Sequence, residues 1–179
     1  MKNLDDLLRW RRSIRQFRPD TAVAEEEIRE MIGAATEAPT WKNSQTGRYY
    51  VALGAEARER VVASLPEFNQ RSVAGCGAFV VTTFKHNRSG YERTGEPSNE
   101  LGNGWGCYDL GLQNAFLLLK AAELGVDTLV VGIRDAAQLR DALAIPDDET
   151  VVSVIALGHR ADDPARPKRK EVDEIAHFC

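Results

Sequence analysis

The stretch from Cys107 to Leu124 sets the strongest limit on what this chain can become. Read as a helix, it carries Leu110, Leu112, Phe116, Leu117, Leu118, Leu119, Ala121, Ala122 and Leu124 on nearly every side. A helix that is apolar all round is a central one, with other elements packed against each face. Gly125 follows as a C-cap that ends it. The rest of the chain has to supply the layers that cover it.

The strand Ala78–Phe84 is an almost unbroken apolar run, which predicts a central strand buried on both faces. Further strands are expected over 48–53, 128–133 and 151–157, the last closed by Gly158. Asn3 predicts a capped first helix with Asp6 in the answering position and Leu4, Leu7 and Leu8 as its stripe. Pro19-Asp20 breaks the chain before a second helix, whose first turn holds Glu25, Glu26 and Glu27. Ile28, Met31, Ile32 and Ala35 mark its buried face, and it stops at Ala38-Pro39. A short helix is expected from 55 to 65, a polar passage over 69–72, and a helix capped by Asp135 with Leu139 and Leu143 inward.

Composition narrows the function classes. The 179 residues suit one domain spanning 1–179, and 43% apolar with 28% charged residues is globular content. No apolar run reaches the ~18 residues of a membrane span, and the first residues lack a signal peptide's apolar core, so a cytoplasmic protein without membrane contact is expected. Cys76, Cys107 and Cys179, and likewise His86, His159 and His177, fall in no metal-site spacing, so no metal is expected. A net charge of −4 argues against a nucleic-acid footprint.

Against that acidic background, Arg9, Arg11, Arg12, Arg15 and Arg18 crowd ten positions, and Arg160, Arg166, Lys168, Arg169 and Lys170 crowd eleven more. Two like-charged clusters converge most simply on a shared anion. A phosphate suits the forked donors of arginine with the Ser13 hydroxyl. The chain has no G-x-x-x-x-G-K-[ST] loop, so side chains must do the holding. Two loops are candidates for contacting a ligand: the amide- and hydroxyl-rich 38–47 and the polar, glycine-rich 85–106, a lid or substrate loop with Trp105 as its anchor.

Five motifs in order carry a resemblance. They are Arg11-Arg12-Ser13-Ile14-Arg15-Gln16-Phe17, Ala38-Pro39-Thr40-Trp41-Lys42-Asn43-Ser44-Gln45, Asp109-Leu110-Gly111-Leu112-Gln113-Asn114 with Ala121 to Gly125, Ile145-Pro146 with the strand ending at Gly158, and Pro167-Lys168-Arg169-Lys170. In this the chain resembles the nitroreductase family of FMN-dependent oxidoreductases over nearly its whole length. The resemblance implies an α+β fold, with a mostly antiparallel sheet of four strands flanked by helices. It also implies an intertwined homodimer with flavin at the interface and the tail 160–179 packed on the partner.

For the cofactor, the resemblance implies that Arg11, Ser13, Lys168 and Lys170 hold the FMN phosphate and neighbouring hydroxyls. Arg12 reaches the ribityl chain or phosphate, and Arg15 faces the N1 and C2 carbonyl edge. Pro39, Thr40, Trp41 and Asn43 close over the partner's flavin, Asn69 touches the pyrimidine edge, and Val130, Val131 and Gly132 run behind the ring. The residues alone leave Trp41 open between packing and a flavin-proximal place, and Asp109 open as a first-turn helix carboxylate. The implied reaction is ping-pong hydride transfer from NADH or NADPH through flavin N5 to a nitroaromatic, quinone or similar small-molecule acceptor, with no protein nucleophile. A specialised branch, such as a dehalogenase or flavin-fragmenting enzyme, and a non-catalytic flavin or phosphate sensor are the alternatives. Thr46-Gly47 stands where relatives often have Pro-Trp, which leaves the substrate face open.

Overall fold

The computed structural model describes residues 3–19 and 21–179. Met1, Lys2 and Asp20 lie outside them, and with Asp20 part of the break expected at Pro19-Asp20. Helix α1 (Leu4–Trp10) starts where Asn3 Oδ1 accepts the Asp6 N–H at 2.9 Å, and it buries Leu7. Beyond it the arginine segment runs extended. In α2 (Glu25–Thr36), Glu27 reaches back to the Ala24 N–H at 2.8 Å, and Ile28, Met31 and Ala35 point inward.

Among the described residues β1 (Gly47–Ala52), β2 (Ala78–Lys85), β3 (Asp127–Val131) and β4 (Glu149–Gly158) form one sheet. Its order is β1-β2-β4-β3, and every pair is antiparallel. The register sets Val51 against Val80, Val81 against Val154 and Val131 against Val154, with a bulge at Thr82/Thr83. β2 is buried along all but its last residue, as its apolar run requires.

Side chains alternate between two cores because successive strand residues face opposite ways. Phe79, Val81, Val154 and Ala156 join Val61, Leu65 and Leu139 from α3 (Ala55–Ala63), the turn after it and α6 (Ala136–Leu143). Ala78, Val80, Ile155 and Leu157 meet Ile28 and Met31 of α2 and Leu117 and Ala121 of α5 (Gly104–Leu124) on the other face. Each fully buried Leu, Ile or Phe contributes roughly 1.5–3 kcal/mol. The sheet is thus the middle layer of three.

Three details depart from the sequence reading. The polar passage over 69–72 is helical, within α4 (Glu67–Val73), which a Glu67–Arg71 pair one turn apart supports. α5 begins at Gly104 instead of Cys107, and Gly106 is what allows it to lie on β2: a Cβ there would stand 2.3 Å from the Phe84 ring. α5 is also covered on one side only, because Tyr108 and Phe116 are exposed, as are Leu4 and Leu8 of α1. Its all-round apolar pattern asks for more cover than this one chain provides. Gly125, at φ +81°, ends α5 in the left-handed conformation, and Asp135 caps α6 through the Ala137 and Gln138 N–H groups.

No helix among the described residues is long and apolar enough to cross a membrane.

Candidate functional site

The two basic clusters meet. Arg11, Arg12, Ser13 and Arg15 line one small cavity together with Pro164, Ala165, Pro167 and Arg169 of the tail, and its volume is about 130 Å³. Its lining contains no acidic side chain. Burial, reinforced by the charges of Arg169 and Arg12, moves the Arg11 guanidinium down from the ordinary arginine pKa. A cradle of partly desolvated cations favours an anion, and its size and hydroxyl suit a phosphate group.

The members of the two clusters serve different ends. Arg12 turns back on α1, donating through Nη1 to the carbonyls of Arg9 and Arg11, while its buried Nε has no partner. Those donations complement the negative end of the helix dipole. Arg15 donates to the Ser13 carbonyl at 3.2 Å and is otherwise exposed. Arg160 is drawn away from the cavity: Nε and Nη2 grip Asp127 Oδ1 at 2.9 and 2.7 Å, and its guanidinium stacks 4.2 Å from the Trp10 ring centre. Lys168 and Lys170 are exposed on either side of Arg169, and neither lines the cavity.

Backbone pairing fixes the cradle to the sheet. The outer edge of β3 accepts the arginine segment, with the Ile14 N–H on the Thr128 carbonyl at 3.1 Å and Ser13 bridged to Thr128. Past that point the same strand presents Val130, which is exposed, then Val131, whose side chain is in the core, then exposed Gly132. Asn69, on α4, donates from Nδ2 to the Ile133 carbonyl at 3.1 Å. Ser13, Val130, Gly132 and Asn69 therefore fall along one edge. From Thr128 to Ile133 that edge measures about 16 Å at strand rise.

The 38–47 loop forms a second group. A short 3-10 turn covers Trp41–Asn43, with Lys42, Asn43 and Gln45 at positive φ, and Thr40 Oγ1 accepts the Gln45 N–H at 3.1 Å. Pro39 and Asn43 are exposed and Trp41 is half-buried. Asp109, 2% exposed, accepts the Trp41 N–H at 2.9 Å and the Ser89 hydroxyl at 2.5 Å, tying this loop to the 85–106 loop. Trp41 and Trp105 pack with ring centres 4.6 Å apart. No residue of 38–47 lines the arginine cavity.

Sequence spacing singled out neither Arg169 nor the bridge made by Asp109 and Ser89. Arg169 lines the cavity and its lysine neighbours do not, a choice that three consecutive basic residues leave open in the sequence. The Asp109 partners lie 68 and 20 residues away, where local spacing carries no signal.

Fold and site together define an α+β protein with an arginine-lined cavity at a sheet edge and a polar loop pair outside that lining. A sequence model described as the Nitroreductase family matches residues 8–89 and 67–159. The chain belongs to that family. It is 26% identical to YdgI of Bacillus subtilis strain 168, provisionally named an NAD(P)H nitroreductase, over 97% of this chain and 96% of that one. It is 27% identical to a nitrobenzene nitroreductase of Ectopseudomonas oleovorans, over 87% of this chain and 86% of that one. Among solved structures, a protein of Exiguobacterium sibiricum provisionally named a nitroreductase and solved with FMN superposes at TM-score 0.82, with 21% identity over 100% of this chain and 98% of that one.

Proposed function

We propose that the protein is an FMN-dependent oxidoreductase that takes hydride from NADH or NADPH and reduces a nitroaromatic, quinone or similar small acceptor, working as a homodimer. The observation that carries this is the meeting of Arg11, Ser13 and Arg15 with Arg169 at the edge of β3, in a chain whose relatives include nitroreductases and an FMN complex. Bound FMN would supply the redox chemistry, accepting hydride at N5 and returning electrons to the second substrate in a ping-pong cycle.

The protein's own share is binding and electrostatics. Arg11, Ser13 and Arg169 would hold the phosphate, with Arg12, Lys168 and Lys170 adding positive potential beside it. The edge from Thr128 to Ile133 is long enough to lay an elongated ligand from the phosphate cradle to Asn69. Val130, Val131 and Gly132 back its ring. Arg15 would supply positive charge to the ring of a bound flavin, which favours electron uptake there. Asn69 is held by Ile133 so that its amide stays at the pyrimidine end.

Pro39, Thr40, Trp41 and Asn43 sit apart from the cradle of their own chain, so in this reading they cover the partner's flavin. Exposed Leu4, Leu8 and Phe116 supply apolar surface for that second copy, and Val172, Ile175 and Phe178 on the tail supply more. Residues 1–179 act as one unit, and within the tail 160–179 the stretch beyond Arg169 packs on the partner.

The test is purification followed by anaerobic titration. A yellow dimer bleached by NADH or NADPH and recoloured by a nitroaromatic or quinone is the expected result. A colourless protein that does not retain added FMN would overturn the reading. A flavin that reduced nicotinamide leaves oxidised would replace the enzyme with a sensor.

A further inference from the structure

A cavity of about 470 Å³ lies between the 38–47 and 85–106 loops. Trp41, Lys42 and Ser44 face it from one loop, and Arg88, Tyr91 and Arg93 from the other. This is the size of sites that take small organic ligands.

The charge in this cavity is unbalanced. Its carboxylate, Glu92, is already engaged: Lys42 Nζ stands 3.2 Å from both oxygens, and the Ser98 hydroxyl donates at 2.6 Å. That leaves Arg88 and Arg93, whose side chains have no hydrogen-bond or ion-pair partner among the described residues. Trp41 Nε1 and Ser44 Oγ, from two further lining residues, are buried polar atoms without a partner as well.

The arginines also stand on an ordered platform. Ser89 is held by Asp109, and Asn87 and Asn103 bond to each other through Nδ2–H to Oδ1 at 2.9 Å and N–H to Oδ1 at 2.7 Å. The loop beneath the arginines is therefore ordered, while their exposed side chains are free to turn onto a ligand.

We propose that this cavity binds the anionic end of the acceptor, with Arg88 and Arg93 as the groups that recognise a carboxylate. The inference rests on the reading above, in which the 38–47 loop covers a flavin. An acceptor whose carboxylate is held between the loops then has its reducible end beside Trp41, at that cover. The phosphate of FMN keeps its own cradle at Arg11 and Arg169, so the two anions do not compete for one site.

The probes are 4-nitrobenzoate and its uncharged methyl ester, which share the reducible group. Calorimetric binding to the flavin-loaded protein and kcat/KM are both measured. The acid is expected to bind about threefold to fivefold more tightly than the ester at low ionic strength, the range that exposed ion pairs produce. The ratio should fall as salt rises. In the Arg88→Gln/Arg93→Gln variant it should approach one, and a ratio taken within one protein cancels any loss of folded material. Equal binding of acid and ester by the parent would overturn the proposal, as would an unchanged ratio in the variant. Acid preference in binding by a protein whose flavin reduced nicotinamide leaves oxidised would support the anion site and overturn the flavoenzyme reading. Reduction of both without preference would do the reverse.

Discussion

Replacing Asp109 by alanine tests whether one buried carboxylate holds the two loops together. The substitution leaves the Trp41 N–H and the Ser89 hydroxyl without their acceptor. A buried donor left alone costs about 1–3 kcal/mol. The Ser89 hydroxyl can rotate toward another acceptor, and the variant no longer has to keep a carboxylate out of water. The expected net loss is therefore about 2–3 kcal/mol instead of the full sum for two donors. For a chain of this length each kcal/mol lowers Tm by about 2–4 °C, so Asp109→Ala should melt about 4–12 °C below the parent. Asp109→Asn, which keeps an oxygen for Trp41, should lose about half as much. Circular dichroism melts give the number, and limited proteolysis within 85–106 locates it. A melt within about 0.5 kcal/mol of the parent would refute the reasoning. So would strictly additive losses in Asp109→Ala and Ser89→Ala, since groups in contact couple by about 0.5–3 kcal/mol.

Other perturbations read other parts of the molecule. Arg169→Ala should weaken FMN retention by about 1.5–3 kcal/mol, as should Arg11→Ala, while Lys168→Ala should cost clearly less; equilibrium dialysis separates them. Gly106→Ala drives a methyl group into the Phe84 ring and should cost about 1–3 kcal/mol in urea unfolding, and no change would mean that α5 can lift away. Burial raises the Cys76 thiol to about 12, from 9.0, against a smaller lowering by Arg58. A raised folded pKa gives stability that is complete below the unfolded value and lost as pH climbs toward the folded one. Cys76→Ala should accordingly lose about 1 kcal/mol less than the parent between pH 8 and pH 10.

The sheet and its helices were readable because their signals are local. The apolar run over 78–84 could only be a strand buried on both faces, and the 3.6-residue rhythm of Ile28, Met31 and Ala35 could only be one face of a helix. α4 escaped because it is short and polar and buries only Val73; its trace in the sequence was Glu67 followed four residues later by Arg71. The convergence of the two basic clusters followed from charge alone, while the choice among their members did not. Arg160 looks in sequence like its neighbours, and what removes it from the cradle is Asp127, 33 residues away. The burial of Asp109, and with it the link between the two loops, is likewise a product of tertiary packing. An isolated acid on an apolar helix does not announce its partners.

The Arg160–Asp127 clamp also fixes how Arg169 is delivered. The clamp pins the root of the tail, and Arg169 stands nine positions beyond Arg160. A flexible chain of that length spans roughly 17 Å, so Arg169 is confined to a volume around the cradle instead of the whole solution. Closing the tail on a ligand's phosphate is then a tethered event with an effective local concentration on the order of millimolar. Cutting the chain after Asp163 would remove that arginine and leave the clamp, the sheet and Arg11 in place.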